Sequence, residues 1–246
     1  MEHSICVDLI GPYTLKGKDG TVIDFMCVTM IDPATSWFEI VELPVSQLSQ
    51  LDAPPWIVRA ERAREPHMIM TRSLKKPKEA YFDKSSATVG SLVNRCWFCR
   101  YPRCRNIIYD NGSEFKLHFE TLCDSYGLKR KPTSIKNLQA NAILERVHQV
   151  LMTMARTAEL DMADTVEPSD VAYFLTNAAW AIRSTYHTVL KASPGAAIFG
   201  RDMLFDIHFL ADWNKIGEYR QRQTDRNTAR ENKSRVDWDD YKVGGT

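Results

Sequence analysis

Short apolar runs characterise the first forty residues of the chain. Residues 4 to 10, SICVDLI, combine β-branched and other apolar residues with a single acid, a pattern typical of a buried strand, and the Gly-Pro pair that follows is expected to end it. Residues 21 to 31 and 36 to 43 repeat the strand pattern on either side of an Asp-Pro turn signal. We therefore predict three strands that form an antiparallel meander.

Residues 45 to 82 interrupt this pattern. The stretch contains a Pro-Pro pair, two further prolines and a cluster of basic residues. Such a composition predicts a surface insertion with one short helix near residues 55 to 64.

The rest of the chain alternates between strand and helix patterns. The predicted elements are a helix capped by Ser85 or Ser86, a strand at 106 to 110, a helix from Ser113 to Gly127, a strand near 128 to 131, and helices at about 139 to 160 and 169 to 188. This order predicts an α/β fold built from packed layers.

The helix predicted at 139 to 160 has an apolar stripe that we expect to face the core. The stripe consists of Ile143, Val147, Val150, Leu151 and Met154. Glu145 lies outside it, and we expect this carboxylate to point away from the core.

Charge and composition narrow the function classes only slightly. Lys and Arg total 32 and Asp and Glu total 31, so a nucleic-acid partner would have to bind local basic patches rather than an overall positive field. No apolar run approaches the roughly 18 to 20 residues that a membrane span needs, and no targeting signal is visible. We predict a soluble intracellular protein without a membrane partner.

The six cysteines include Cys96, Cys99 and Cys104, whose spacing resembles half of a zinc site. A second pair of ligands at suitable spacing is missing nearby, and buried cysteines also act as small apolar side chains. We therefore expect reduced thiols and no zinc.

Three acids have informative positions. Asp8 lies within an apolar strand, where an ionised carboxylate is costly unless it is paired or bound to a metal. Asp110 ends a strand, and Glu145 lies near the start of a long helix. Taken singly, each also fits an ordinary role, namely a satisfied carboxylate at a sheet edge, a turn residue and a solvated helix residue. Together they would need protons or a divalent cation, and an all-oxygen ligand set favours magnesium or manganese.

These acids stand in motifs that resemble the catalytic core of retroviral-type integrases, especially those of gypsy-like long-terminal-repeat retrotransposons. The motifs are VDLIGPY with Asp8, YDNGSEF with Asp110, and NLQANAILERVH with Glu145, and 34 residues separate the second acid from the third. The segment WAIRSTYHTVLKASPGAAIFGR at 180 to 201 is also similar to these elements. The resemblance extends from residue 4 to about residue 205, apart from the insertion.

The resemblance implies a ribonuclease H-like fold, with a mixed five-stranded sheet flanked by helices. It implies a metal-dependent polynucleotidyl transferase that processes retroelement DNA ends and joins them to target DNA. Asp8, Asp110 and Glu145 would be the catalytic residues and would hold two Mg²⁺ or Mn²⁺ ions. Such a protein is expected to form a dimer or larger homo-oligomer, and to act in the nucleus on chromosomal DNA or otherwise in a cytoplasmic particle.

The resemblance also divides the chain into regions. Residues 1 to 205 would form the catalytic core, with 45 to 82 as a surface insertion. The highly charged residues 206 to 246 would form a helical linker towards a C-terminal DNA-binding domain that this sequence lacks.

Several polar residues are candidates for contact with DNA. The resemblance implies that Asn111, Gln139 and Asn141 line the site. Basic side chains around an active site offset the charge of a polyanion, and a solvated basic face is the alternative for each. The basic candidates are Lys129, Arg130, Lys131, Lys136 and Arg146.

Other positions depart from the family or compete with the main assignment. Leu138 stands where the family usually has proline, which would restrict the loop. Asp32 is rejected as the first acid because its motif corresponds to a turn after the second strand. His148 completes a single Glu-x-x-His motif, whereas di-iron bundles need two, so we expect a histidine on the helix surface.

Two other functions fit the same sequence. A catalytically silent or domesticated core could persist as a module that binds DNA or protein. A ribonuclease H-type nuclease that cleaves RNA in hybrids should have a fourth acid at the site, and the sequence does not identify one.

Overall fold

The structure is a computed structural model that describes residues 3 to 45, 82 to 133, 142 to 161 and 165 to 233. The short helix predicted near residues 55 to 64 therefore lies outside the described residues. The chain divides into two compact units, which comprise residues 1 to 33 with 38 to 178, and residues 34 to 37 with 179 to 246.

The first unit contains a mixed five-stranded sheet in the order β3-β2-β1-β4-β5. The strands are β1 Ser4–Lys16, β2 Val22–Ile31, β3 Phe38–Glu42, β4 Asn106–Tyr109 and β5 Lys129–Pro132. Antiparallel pairing joins β1, β2 and β3, as the predicted meander requires, and parallel pairing joins β1 to β4 and β4 to β5. The prediction of a mixed five-stranded sheet is confirmed.

The first strand is longer than its sequence pattern predicts. It continues past the Gly-Pro pair to Lys16, with a register shift between Ile10 and Tyr13. Gly11 has a φ of 109°, and a Cβ there would lie 2.9 Å from the carbonyl oxygen of Phe25. A glycine therefore lets the strand pass through a bulge at a point where we expected it to end.

Six α-helices are present among the described residues. They are α1 Ser86–Val93, α2 His118–Ser125, α3 Ala142–Asp161, α4 Pro168–Ser184, α5 Pro194–Phe199 and α6 Trp213–Asn232. A π-helical turn, Asn94–Phe98, continues α1, and a 3-10 turn, Ser113–Phe115, precedes α2.

Two helix starts differ in how well the sequence predicts them. The Ser85 hydroxyl accepts a hydrogen bond from the Thr88 backbone N–H, which confirms the predicted cap of α1. The prediction that a helix starts at Ser113 is wrong, because α2 begins only at His118, after Leu117 with its φ of 50°. A positive φ breaks the helical path, and the spacing of apolar residues does not reveal it.

The strand register decides which side chains share a face of the sheet. Cys6, Asp8 and Ile10 alternate with Ile5 and Val7 along β1. Helix α3 packs against β1 and β2 on the Asp8 face, where its His148 side chain lies 2.9 Å from the Thr29 hydroxyl. Because both faces carry buried side chains, the start of β1 is apolar almost throughout.

Helix α2 covers the opposite face. Arg130 of β5 lies in the same register row as Ile107 and Ile5, and its guanidinium contacts Glu120 and Asp124 of α2. Helix α2 therefore packs on one face of the sheet, whereas Asp8 and α3 lie on the other face.

The buried face of α3 differs in part from the predicted stripe. Leu144 and Leu151 are buried, whereas Ile143 is 39% exposed and Val150 is 43% exposed. The helix is thus rotated so that His148, rather than Ile143 and Val150, approaches the sheet. Glu145 is exposed, as predicted.

Candidate functional site

The pairing of β1 with β4 indicates that Asp110 lies near Asp8. Paired residues of the parallel strands β1 and β4 include Ser4 with Asn106 and Cys6 with Ile108, a constant offset in sequence number. If this register is continued by two residues beyond the last pair, Asp110 lies next to Asp8. Neighbouring strands are about 4.8 Å apart, and the charge of Asp110 contributes to the raised pKa of Asp8, so the two carboxylates lie within electrostatic range of each other.

The Asp8 carboxylate is half-buried within the sheet, where Leu9 N–H donates to its Oδ1 at 2.9 Å. Burial, as the largest cause, and the negative charges of nearby acids together raise the pKa of Asp8 from 3.8 to about 6, against the lowering effect of the Leu9 hydrogen bond. The acids that contribute are Asp110, Glu145 and Glu114. The charges of Asp110 and Glu145 thus both act on the Asp8 carboxylate. The combined negative charge of the three acids would favour binding of a cation.

The Asp110 carboxylate is held by the turn that follows β4. Its Oδ1 accepts a hydrogen bond from Gly112 N–H at 2.9 Å, which is a typical Asx turn. The ordinary role and the predicted role of Asp110 are thus compatible, because the turn orients the carboxylate at the end of the strand. Its partly exposed side chain remains accessible to solvent.

His148 is half-buried, which corrects our expectation of a surface histidine. Its Nε2 lies 2.9 Å from the Thr29 hydroxyl, which donates to the Asp8 carbonyl oxygen at 3.1 Å. A hydroxyl has one proton, so Thr29 must accept from His148, whose Nε2 then carries a hydrogen. Burial lowers the pKa of His148 to about 4, which keeps the ring neutral at neutral pH.

This hydrogen-bonded chain connects the helix of Glu145 to the strand of Asp8. Thr29 pairs directly with Asp8 across β1 and β2, and His148 follows Glu145 by three residues, nearly one helical turn. The position of Glu145 relative to Asp8 is therefore set partly by the His148 and Thr29 side chains.

Glu114 is an acid near the site that the sequence analysis missed. It is half-buried in the 3-10 turn after β4, and its charge contributes to the raised pKa of Asp8. A Cβ at Gly112 would lie about 2.5 Å from the Glu114 carboxylate, so that glycine leaves room for it. The signal in the sequence was its place four residues after Asp110, within the same motif.

The described residues do not form a complete metal-binding cluster. Nowhere in the described part of the chain do three or more His, Cys, Asp or Glu side chains approach closely enough to hold one ion. The donor chemistry of Asp8, Asp110 and Glu145 nevertheless fits a hard divalent cation, because all the donors are carboxylate oxygens. Coordination of one ion by all three would require these carboxylates to come closer together than they are in the described structure.

The predicted DNA contacts on β5 lie on opposite faces of the sheet. Lys131 pairs with Ile108 and Lys129 with Asn106, so both lysines share the face of Asp8. Arg130 lies on the other face, where its guanidinium is 2.8 Å from Glu120 and 3.1 Å from Asp124. These acids would compete with DNA for Arg130.

The remaining predicted contacts are partly described. The Asn111 side-chain amide donates to the Thr133 carbonyl oxygen at 3.2 Å, and Arg146 is exposed next to Glu145. Lys136, Gln139 and Asn141 lie outside the described residues, as does Leu138.

The structure also locates Asp32 and the six cysteines. Asp32 lies in the turn after β2, half-buried, as its motif predicted. Cys99 is exposed, and the other five cysteines are buried. Among the helices that the structure describes, none is long and apolar enough to cross a membrane.

Solved structures of retroviral integrases are similar to this chain. The simian T-cell lymphotropic virus intasome in complex with the PP2A regulatory subunit B56 gamma matches with a TM-score of 0.52 at 14% identity, over 86% of this chain and 59% of that one. The HTLV-2 integrase catalytic core with magnesium, in a trimeric form, gives 0.48 at 13% identity, over 79% and 94% of the two chains. The BIV integrase catalytic core gives 0.46 at 14% identity, over 77% and 90%.

Sequence comparisons add nothing to this likeness, since no protein-family model and no curated protein matches the sequence. The structural likeness shows the fold, which is the ribonuclease H-like fold of integrase catalytic cores. The chain spans only 59% of the intasome chain that it matches.

Proposed function

We propose that this chain is the catalytic core of an integrase-type polynucleotidyl transferase, which processes retroelement DNA ends and joins them to target DNA. The main support is the environment of Asp8, whose pKa is raised by burial and by the charges of Asp110 and Glu145. At neutral pH such a cluster is destabilising unless it binds a cation, and perturbed carboxylates of this kind are frequent at catalytic sites. The presence of all three acids argues against a catalytically silent module.

Asp8, Asp110 and Glu145 are the residues that would hold Mg²⁺ or Mn²⁺. Two such ions, when bound, would polarise a phosphodiester and activate a water or a 3′-hydroxyl. The Leu9 and Gly112 N–H groups orient the two aspartates through 2.9 Å hydrogen bonds. Among the described residues Glu145 has no such hydrogen bond, and it lies exposed on α3. We therefore propose Glu145 as the ligand that completes the site.

Basic residues near the carboxylates would position the DNA backbone. Lys129 and Lys131 share the Asp8 face of the sheet, and Arg146 is adjacent to Glu145 in sequence. Such side chains attract a polyanion without reading its sequence. In this proposal Asn111, Lys136, Gln139 and Asn141 line the path of the DNA, and Arg130 contributes only if DNA displaces its two acids.

The wider setting of this activity follows from the same proposal. The likeness to an intasome supports a homo-oligomer, either a dimer or a larger assembly. In this proposal the assembly would act on chromosomal DNA in the nucleus. A gypsy-like retrotransposon origin rests on the sequence motifs alone, and a cytoplasmic particle would precede the nuclear step. Residues 206 to 246 would lead to a further DNA-binding domain.

A joining assay tests the catalytic proposal. The purified chain would be incubated with labelled duplex ends and target DNA in Mg²⁺ or Mn²⁺, and end trimming and joined products would be measured. We expect Asp8→Asn, Asp110→Asn and Glu145→Gln each to abolish both products, whereas Asp32→Asn should retain them. A wild-type protein that binds DNA but yields neither product would instead support the silent module.

Cleavage of RNA in hybrids is a second candidate, because Glu114 is a fourth acid whose charge acts on Asp8. A labelled RNA–DNA hybrid should then be cut in the presence of the metal, and Glu114→Gln should reduce that cleavage more than DNA joining. An uncut hybrid would remove this candidate and leave the first unaffected.

A further inference from the structure

A basic groove lies in the second unit, far along the chain from the three acids. Its volume is about 550 Å³, and its walls are the 188 to 191 segment and one face of α6. Four lining residues are basic, and none of the described residues that line the groove is acidic. The four are Lys191, Arg222, Arg226 and Arg230. The groove therefore concentrates positive charge in a chain whose net charge is only +1.

The sequence of α6 separates the groove face from the acids of the helix. At 3.6 residues per turn, the lining positions from Tyr219 to Arg230 span about 140° of the helix circumference. Glu218, Asp225 and Glu231 all fall outside this arc. Basic and acidic residues are interspersed along the sequence of α6, but the face of the helix that lines the groove carries only the basic ones.

Local contacts hold part of this charge in place. The Tyr219 ring lies under two cations, the Lys191 Nζ at 5.5 Å and the Arg222 guanidinium at 4.9 Å from its centroid. Arg222 also contacts Glu218 at 3.3 Å, a pair too exposed to neutralise it fully. Both cations therefore lie close to the same ring, and a bound anion would offset their mutual repulsion.

Arg226 and Arg230 extend the charge along the helix. Within the described residues, neither has a carboxylate partner in an ion pair. Positions four residues apart are about 6 Å apart along the axis, so the three arginines form a row about 12 Å long. A row of this length suits a linear polyanion better than a compact anion.

We infer that this groove binds the phosphodiester backbone of DNA, at a place separate from the catalytic carboxylates. Arginine forms bidentate hydrogen bonds with phosphate oxygens, and the neutral donors Gln223 and Asn227 lie on the same wall. The choice of DNA over an acidic polypeptide rests on the proposed function, in which DNA is the substrate. The groove contains none of the residues assigned to the catalytic site, so its role would be to hold the DNA backbone.

Salt-dependent DNA binding tests this inference. Binding of the full chain to a fluorescein-labelled DNA duplex would be followed by fluorescence anisotropy over a series of salt concentrations. Loss of two phosphate contacts in Arg226→Gln/Arg230→Gln should reduce the slope of log K against log salt by about 1.8, which is up to about 60-fold weaker binding at 0.1 M salt. Arg226→Lys/Arg230→Lys, which retains the charge, should keep most of the slope.

A matched control removes the same charge elsewhere. Arg95 and Arg100 are exposed in the first unit, and Arg95→Gln/Arg100→Gln should change the slope far less than the groove variant. Equal slopes for the two glutamine variants, with circular dichroism showing both folded, would overturn the inference. Competition by polyglutamate that matches unlabelled DNA at equal charge would also overturn it, in favour of an acidic polypeptide.

The outcome is separable from that of the catalytic proposal. Asp8→Asn should bind DNA with the wild-type salt slope while it yields no joined product. If wild-type protein joins DNA and the groove variant binds normally, the groove inference fails alone. If the groove variant loses DNA binding and the wild type never joins DNA, the catalytic proposal fails alone.

Discussion

Removal of the Asp8 charge is expected to stabilise the metal-free protein at neutral pH. The pKa of this carboxyl is raised from 3.8 to about 6 by burial and by the neighbouring acids Asp110, Glu145 and Glu114. The difference between these two pKa values corresponds to on the order of 3 kcal/mol of lost stability once Asp8 is ionised. Asp8→Asn keeps the shape of the side chain and an oxygen that can accept from Leu9 N–H, but it carries no charge.

The sign of the effect follows from proton binding. Because the folded state holds the Asp8 proton more tightly than the unfolded state, the stabilisation from a protonated Asp8 is fully present below about pH 4. It is lost progressively as the pH rises through about 6. The stability difference between Asp8→Asn and wild type should therefore be small at pH 4, grow between pH 4 and 6, and level off above that range.

Urea unfolding in EDTA at several pH values measures this difference. Asp206→Asn, a substitution of an exposed aspartate, is the matched control and should stay within about 0.5 kcal/mol of wild type. Mg²⁺ at about a hundredfold excess over its Kd should stabilise wild type by about 2.7 kcal/mol and narrow the gap. An Asn variant that is no more stable than wild type near neutral pH, or a gap that does not change with pH, would refute the reasoning.

Three further predictions concern single side chains. Thr29→Val leaves the half-buried His148 donor without its partner, so urea unfolding should show a loss of about 1 to 3 kcal/mol in the free energy of unfolding. Glu114→Gln removes one negative charge near Asp8 and should lower the pKa of Asp8 in an NMR titration; an unchanged midpoint would place that glutamate too far away. Cys99 is the exposed thiol and should react first with a thiol reagent in the folded protein, so Cys99→Ser should remove the fast phase.

The sheet could be predicted from the sequence because its signals are local. Runs of β-branched and apolar residues mark β1, β2 and β3, and the turn signals between them mark the meander. The association of Asp110 with Asp8 could be predicted from the family motifs, and in the structure Asp110 directly follows β4, the parallel neighbour of β1. The extension of β1 through Gly11 could not be predicted, because a bulge depends on how β1 pairs with β2 rather than on the residues at the turn signal alone.

The orientation of α3 could not be derived from its own sequence. Apolar residues occur on more than one side of this helix, and their spacing therefore predicts that Ile143 and Val150 belong to the core stripe. The contact that fixes the rotation joins His148 to Thr29, which are 119 residues apart in the chain. A contact of this kind appears only when the sheet and the helix are assembled.

Three acids of the site could be identified from their sequence context, whereas the fourth could be identified only from the folded structure. Asp8 was unusual because of its strand, and Asp110 and Glu145 because of their motifs. Glu114 was missed because an acid in a polar turn has an ordinary explanation, and only its proximity to Asp8 in the folded chain distinguishes it.

Cation binding by the three carboxylates is the most direct test of the proposed site, because the described residues do not yet form a complete cluster. Mn²⁺ binding would be titrated by electron paramagnetic resonance in wild type, Asp8→Asn, Asp110→Asn, Glu145→Gln and Asp32→Asn. We predict that wild type and Asp32→Asn bind Mn²⁺ alike and that each of the other three variants binds it more weakly. Equal binding by all five proteins would contradict the assignment of these carboxylates to a metal-dependent catalytic site.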